Sequence, residues 1–440
     1  AACTTAPNLP LYHLHVFDGA ELVGTVGYES LEEQFSCEYT DAWRQMRTAY
    51  SISPHILLTG TPPASGTVRR FLENLLPEGR ALDIVATTHQ VARNNLYGLI
   101  RVLGQETSGA LSFSTEATAL DGTTTRREIT REEFAARMAE RAEIPMSVWD
   151  GRVRLSIAGY QDKLAVYIEG ERMFLVEGVL ASTHILKPEP TGNRLPMLVA
   201  NEHFCMKLAQ RLGLTVANVT LLRLPDPVLV VERFDRQCHA QGVRRLHIID
   251  GCQSLDLPVA YKYEHNFGSG RDVAHIRDGV SFERLFSLAA HAVQPAVTRR
   301  DLLRWALLQF LIGNSDAHGK NVSFFCTPEG LKLTPFYDLV SVAQYGELDH
   351  EFAMAYGDEF QVERVMPYDW ATFARHTNTA RSLLAREMRR MGSAVTEAAS
   401  LQLGDPLYSA PERNFLERVT SHVEAQADKL VDMAKLMIGV

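Results

Sequence analysis

The chain has 440 residues, 44 Lys+Arg against 53 Asp+Glu for a formal charge of −9, and 46% hydrophobic residues. That length accommodates about two to four domains with ample core, and ordinary apolar content with low charge per residue excludes disorder as the dominant state. The acidic balance argues against a protein that binds DNA unaided through a basic surface, though not against a partner that does so. Six scattered cysteines with no C-x-x-C pair suit neither a disulfide framework nor zinc, so a reducing compartment is expected. No run reaches the roughly 18 apolar residues of a membrane span. The opening Ala-Ala-Cys-Thr-Thr segment lacks the basic and apolar regions of a signal peptide. The expectation is a soluble cytoplasmic protein without membrane association.

In chain order, residues 1–11 read as a disordered leader. Alternation over Tyr12–Val16, the Asp18-Gly19 turn signal and Glu21–Val26 predict a hairpin. Residues 51–113 mix short strands with helices at Thr67–Leu76 and Leu82–Leu103. The Thr-rich Ala117–Arg127 stretch reads as a loop or linker, and Arg131–Glu143 as a solvated helix. A boundary at about 145 separates an N-terminal α+β domain (12–145) from the rest of the chain. Strands are then expected at Val153–Ile157, Lys163–Ile168, Arg172–Val176 and Thr183–Lys187, with a helix over Pro196–Leu212 ended by Gly213. Two further strands, Val219–Leu224 and Val228–Glu232, complete a small sheet lobe (146–236). From 237 to 440 helices are expected to dominate, at Phe282–Ala290, Asp301–Ile312, Trp370–Met391 and Glu412–Met437. The predicted fold class is therefore α+β, two-lobed, with an additional N-terminal domain.

Four constellations carry chemistry. An apolar helix runs straight into Gly313-Asn-Ser-Asp316-Ala-His318-Gly-Lys320-Asn321, and Asp338 follows in Pro335-Phe-Tyr-Asp. Two carboxylates and an amide presented from loops can hold magnesium and orient a hydroxyl, as phosphoryl transfer requires. Asp-x-x-x-x-Asn is also the spacing of the kinase catalytic loop. The alternative is an ordinary turn in which these side chains cap backbone groups.

Second, Glu202 falls on the apolar stripe of its helix, where a carboxylate needs a partner. Lys187, ending an apolar strand, can supply it, as a strand lysine and a helix glutamate do in kinases. The alternative is Glu202 at the stripe's edge, reaching solvent. Third, Ser156-Ile-Ala158-Gly159-Tyr160-Gln161-Asp162-Lys163 joins two strands; its small residues admit backbone approach to phosphate oxygens, though with one glycine a tight hairpin is the default. Fourth, Glu232-Arg233-Phe234-Asp235 ends an apolar strand where the lobes should meet, and its exposed backbone could hydrogen-bond adenine with Asp235 near the ribose. The alternative is a strand ending in a solvated loop. Walker A, G-x-S-x-G, zinc-protease and dinucleotide motifs are absent. The constellations occur in kinase order.

These words, with Thr183-His-Ile-Leu-Lys187-Pro, Asn201-Glu202, Val231-Glu-Arg-Phe-Asp-Arg236, Cys252-Gln253, Lys262-Tyr-Glu264 and Leu333-Thr-Pro-Phe-Tyr-Asp338, resemble the HipA toxin kinases. Asn74-Leu-Leu-Pro77 and Gly109-Ala-Leu111 are similar to words of that family's N-terminal region. The resemblance implies a serine/threonine kinase, using ATP and Mg2+, that is the toxin of a bacterial toxin–antitoxin pair. Its implied partners are a small helix-turn-helix antitoxin (HipB-like), operator DNA reached mainly through that antitoxin, and a protein substrate such as an aminoacyl-tRNA synthetase. Growth arrest and persistence would result from that phosphorylation. By matching motif, Asp316 would be the catalytic base, Asn321 and Asp338 the metal ligands, and Glu202 the partner of Lys187. ATP would meet Ala158 to Lys163, Lys187, Glu232, Arg233, Phe234, Asp235, His318 and Lys320. Ser156 would be autophosphorylated. Tyr160, bulky beside the loop glycine, departs from expectation, and residues 370–440 carry no matching words. A small-molecule kinase, or a silent co-repressor acting only with a DNA-binding antitoxin, are the competing readings.

Overall fold

The computed structural model describes residues 11–105, 107–118, 124–150, 152–153, 161–178, 180–240 and 242–437. The hairpin expected at the start forms strands Leu11–Asp18 and Glu21–Glu29, with Gly19 at φ +59° in the connecting turn. Strands Gln34–Tyr39 and Leu111–Ser114 flank it in an antiparallel four-stranded sheet. Leu14, Val16, Val23 and Val26 lie on its buried face, opposite helices Ser65–Glu73 and Leu96–Leu103. The single helix expected over 82–103 is two, Gly79–Thr88 and Leu96–Leu103. Gln90 turns left-handed at φ +52°, and Asn95 caps the new helix by accepting from Gly98 N.

The second sheet has six antiparallel strands. Their order is Val219–Arg223, Pro227–Glu232, His184–Pro188, Leu164–Glu169, Arg172–Gly178 and Thr124–Ile129. The last corrects the linker expected at 117–127. It is an edge strand with solvent-facing Thr and Arg, and Arg126 lies 4.4 Å from the Phe174 ring centroid and 5.1 Å from that of Tyr167. Such a strand lacks apolar alternation because pairing with its neighbour and cation–π contacts, more than a buried face, hold it. Ile129, Phe134 and Met138 join the core of this sheet with Leu164, Leu186 and Val230, so the chain enters the second body before residue 145.

Helix Leu198–Arg211 crosses the sheet. The Glu189 carboxylate accepts from Leu198 N (2.9 Å) and Val199 N (3.0 Å), supplying the cap its first turn lacks. Beyond it, the third body is built on the buried helix Pro295–Ile312, with helices Pro367–His376, Arg381–Leu403 and Ala410–Leu436 around it. The helix expected at 370–391 is thus interrupted: Asn378 is left-handed at φ +50°, and the chain restarts at Arg381. A three-stranded sheet of Ile248–Asp250, Ser323–Thr327 and Gly330–Leu333 was not anticipated in this region. The architecture is α+β and two-lobed, with a sheet lobe over a helical lobe and the N-terminal domain packed against both. Among the described residues, no helix is long and apolar enough to cross a membrane.

Candidate active site

The buried helix 295–312 ends at Gly313, φ +64°, which turns the chain into the Asn314–Asn321 loop. Asn314 Oδ1 accepts from Asp316 N (3.2 Å), and Asn321 Oδ1 accepts from His318 N (3.1 Å). The loop therefore does cap its own backbone, and those same bonds fix where Asp316 and Asn321 sit. Asp338 comes from the segment after strand 330–333 and has φ +54°, rare for a residue with a Cβ. Asn321 Nδ2 lies 3.5 Å from Asp338 Oδ2.

Lys187 Nζ stands 2.7 Å from Glu202 Oε1 and also donates to Asp338 Oδ1. The side chains of Lys187 and Glu202 retain only 8% and 3% exposure, whereas Asp338 keeps 40%. Burial alone would depress Lys187, but the Asp338 and Glu202 carboxylates overcome it and hold the ammonium above its usual range. Burial likewise drives Glu202 up, to about 7, while the Lys187 and Lys163 ammoniums overcome it at Asp338 and hold that carboxyl low, at about 2. Lys163 is buried and brought down to about 8, mainly by burial and, against the pull of Asp338, by the neighbouring Lys187 charge.

These groups open onto one cleft of about 910 Å³, lined among others by Lys163, Lys187, Glu202, Asp316, Asn321 and Asp338. Asp316 is open to the cleft, yet the surrounding protein excludes enough water to raise its carboxyl above the ordinary value. Tyr263 Oη donates to Asp316 Oδ1 at 2.5 Å. His318 is kept well below its ordinary value by burial and by Lys262 and Lys320, so its ring is neutral. Gln161 and Asp162 also line the cleft; Gln161 Nε2 is buried without a partner among the described residues. Asp162 turns away, its carboxylate accepting from Met146 N at 2.8 Å. Ser156, Ala158, Gly159 and Tyr160 lie outside the described residues.

The side chains of several residues expected at the nucleotide are engaged elsewhere. Lys320 does not line the cleft: its ammonium donates to Asn74 O (3.0 Å), Asn74 Oδ1 (2.9 Å) and Asp250 Oδ2 (2.5 Å), which uses all three protons. Asp235 is no ribose contact either. It is buried between Arg233 and Arg236, each 2.8 Å away, and accepts from Gly109 N of the N-terminal domain at 2.8 Å. Arg233 is consumed in that cluster, and the Glu232 side chain turns outward to Asn218 Nδ2 (2.9 Å). Phe234 faces Tyr337 with ring centroids 5.6 Å apart at the base of the sheet lobe. Sequence reasoning assigned no role to Tyr263 or Lys262, nor to Arg80, Ala81 and Ile84, with which helix 79–88 walls the cleft. Only the words around Asn74 and Lys262 hinted at them.

The chemistry available is clear from the donor set. A carboxylate (Asp316) faces the cleft beside an amide and a carboxylate (Asn321, Asp338) that offer hard oxygens. A charged lysine, Lys187, is clamped between Glu202 and Asp338 in the same cleft. Among the described residues no group of three or more His, Cys, Asp or Glu could enclose a metal alone. A divalent ion here would share its coordination with phosphate oxygens and water, which is how magnesium is held in phosphoryl-transfer sites.

Comparison with known proteins agrees with that chemistry. The HipA-like C-terminal domain matches residues 155–401, and the HipA N-terminal domain matches residues 14–114. The chain is 40% identical over 430 residues to the serine/threonine-protein kinase toxin HipA of Shewanella oneidensis, covering 97% of each. It is 32% identical to the putative kinase Y4mE of Sinorhizobium fredii, over 83% of this chain and 86% of that one. Among solved structures, the Shewanella oneidensis complex of HipA, HipB and operator DNA contains a chain that superposes with a TM-score of 0.88. The two share 39% identity over 97% of this chain and 99% of that one. The chain belongs to the HipA family of serine/threonine-protein kinase toxins.

Proposed function

We propose that this cleft transfers the γ-phosphate of ATP to a serine or threonine hydroxyl of a protein, with Asp316 as base. The observation that carries the reading is the convergence of Asp316, Asn321, Asp338, Lys187 and Glu202 on one cavity from four separate chain segments. Asp316 accepts the hydroxyl proton as the substrate oxygen bonds to the γ-phosphorus. The bond from that phosphorus to the β–γ bridging oxygen breaks, and ADP leaves with the electron pair. Lys187, held charged and immobile by Glu202, meets the phosphates; Lys163 and Gln161 line the same cleft. Asn321 Oδ1 and Asp338 Oδ2 would hold magnesium, which neutralises charge on the phosphates when bound.

The remaining elements of the proposal rest on relatedness. The relative's complex contains HipB and operator DNA, which supports a helix-turn-helix antitoxin as this chain's partner and DNA contact chiefly through it. The charge of −9 fits a protein that leaves most phosphate contacts to that partner. An aminoacyl-tRNA synthetase as substrate, autophosphorylation at Ser156, and growth arrest with persistence complete the reading. Its test is transfer of label from [γ-32P]ATP into proteins of a bacterial lysate. Asp316→Asn should lower transfer by about 10²–10⁴-fold while leaving ATP binding intact. Label entering only small molecules, or transfer unaffected by Asp316→Asn, would overturn it.

A further inference from the structure

Two lysines, one in the catalytic loop and one in the segment tied to it, have partners in the N-terminal domain. Lys320, immediately before Asn321, is held by the backbone and side-chain oxygens of Asn74. Lys262, immediately before Tyr263, is paired with Glu78 at 2.6 Å, and both side chains are nearly buried, at 8% and 11% exposure. Asn74 is fixed in turn, its amide donating to Leu257 O at 3.0 Å and Arg70 O at 2.8 Å. Gly319 N donates to Lys262 O at 2.8 Å, so the Lys262 segment and the catalytic loop are also tied directly. The stretch Asn74–Glu78 thus touches both strands of backbone that deliver groups to the base: one bearing Asp316 and Asn321, the other Tyr263.

We propose that Glu78 is a positioning residue for phosphoryl transfer, neutralising and anchoring Lys262 beside the base so that the N-terminal domain is a working part of the active site. The proposal rests on the assignment of Asp316 as base. An uncompensated ammonium next to a general base stabilises its ionised form and weakens it as a proton acceptor, because basicity falls with pKa. The charged and titratable groups around Asp316 are Tyr263 and Lys262 from one segment, Asp338 from another, and Glu78 from the N-terminal domain; the His318 ring, packed on Tyr263 at 5.1 Å, is neutral. Burial is the main reason the Asp316 carboxyl is raised. Tyr263 and Lys262 oppose that rise, while Asp338 and Glu78 reinforce it.

Glu78→Gln keeps an oxygen for Lys262 but removes the negative charge, so Asp316 becomes more acidic and the acid limb of kcat/KM moves to lower pH. Glu78→Ala removes the anchor as well and lowers kcat by about tenfold with KM for ATP little changed, since the loss is felt at the reacting hydroxyl. Glu78→Asp retains the charge and returns the limb toward wild type. Arg70→Ala, which loosens the same interface at Asp256 away from Lys262, serves as the control for general weakening.

The experiment measures label transfer from [γ-32P]ATP to lysate protein by the full-length chain and these variants between pH 5 and 9, with Asp316→Asn alongside. A downward limb shift in Glu78→Gln, absent from Glu78→Asp and Arg70→Ala, supports the proposal. A wild-type limb and kcat in both Glu78→Gln and Glu78→Ala, while Asp316→Asn is inactive, overturns it and leaves the kinase reading standing. Reproduction of the shift by Arg70→Ala overturns it too. Transfer that survives Asp316→Asn instead removes the base assignment beneath it.

Discussion

Replacing Lys187 with Met tests the electrostatic logic of the cleft through stability as well as activity. Two carboxylates lose their counter-charge, but they are not equally exposed: Asp338 keeps 40% of its side-chain surface and can hydrate, while Glu202 keeps 3% and cannot. The penalty therefore concentrates on Glu202, which escapes an isolated buried charge by binding a proton. Its folded-state pKa, already raised by burial, rises further. A raised folded pKa means the folded state holds a proton that the unfolded state has released; because the wild-type carboxyl already sits at about 7, the loss relative to wild type opens only above that value and grows as pH rises. Each pH unit above that value adds about 1.4 kcal/mol, so this group costs the variant about 1.4 kcal/mol at pH 8 and close to nothing at pH 5.5.

Urea denaturation followed by circular dichroism at the two pH values reads the difference directly. The double variant Lys187→Met with Glu202→Gln should regain most of the stability and none of the phosphotransfer. Equal destabilisation at both pH values, or no relief from Glu202→Gln, would refute the claim that Lys187 compensates the buried Glu202 carboxyl.

Three further outcomes are expected. Asn321→Ala should raise the magnesium concentration needed for half-maximal phosphotransfer by about tenfold or more, with partial recovery at high magnesium. Asp235→Asn should destabilise the fold by about 3 kcal/mol near neutral pH. Burial would raise Asp235, but Arg233 and Arg236 overcome it and hold the carboxyl low; its contribution is present above the ordinary value of 3.8 and lost as pH falls below it, so acid should narrow the gap between variant and wild type. Gly109→Ala should cost about 2 kcal/mol, because φ is +84° and the new Cβ would stand 2.8 Å from Ile248 N. Since Gly109 N donates to Asp235, the last two should combine non-additively in a double-mutant cycle.

The parts of the site legible in the sequence are those fixed by short-range rules. Glu202 on an apolar helical stripe demanded a cation, and Lys187 at the end of an apolar strand was the one at hand; the structure brings them to 2.7 Å. The loop after helix 295–312 was legible because apolar periodicity stops abruptly at Gly313. Helix breaks at Gln90 and Asn378 were missed because neither position holds Gly or Pro, and nothing local announces a left-handed residue of another type. Strand 124–129 was missed for the opposite reason. Its stability comes from pairing with residues 172–178 and from Arg126 lying on aromatic rings, partners about fifty residues away that its own pattern does not encode.

The two misplaced nucleotide contacts share one physical cause. Lys320 and Asp235 flank motifs that face the cleft, and proximity in sequence suggested that they face it too. A charged residue in a tightly packed loop, however, has two ways to satisfy its charge: a ligand, or a permanent partner within the fold. Lys320 already spends three protons on Asn74 and Asp250, and Asp235 is bracketed by two arginines and Gly109. Both sets of partners include the N-terminal domain, contributed from more than a hundred residues away. Lys187, by contrast, is clamped against an acid, Asp338, that stays partly open to the cleft, and Asp316 faces it directly. Among the charged residues around this site, retained access to the cleft rather than adjacency to a motif separates those that can meet substrate from those that hold the domains together.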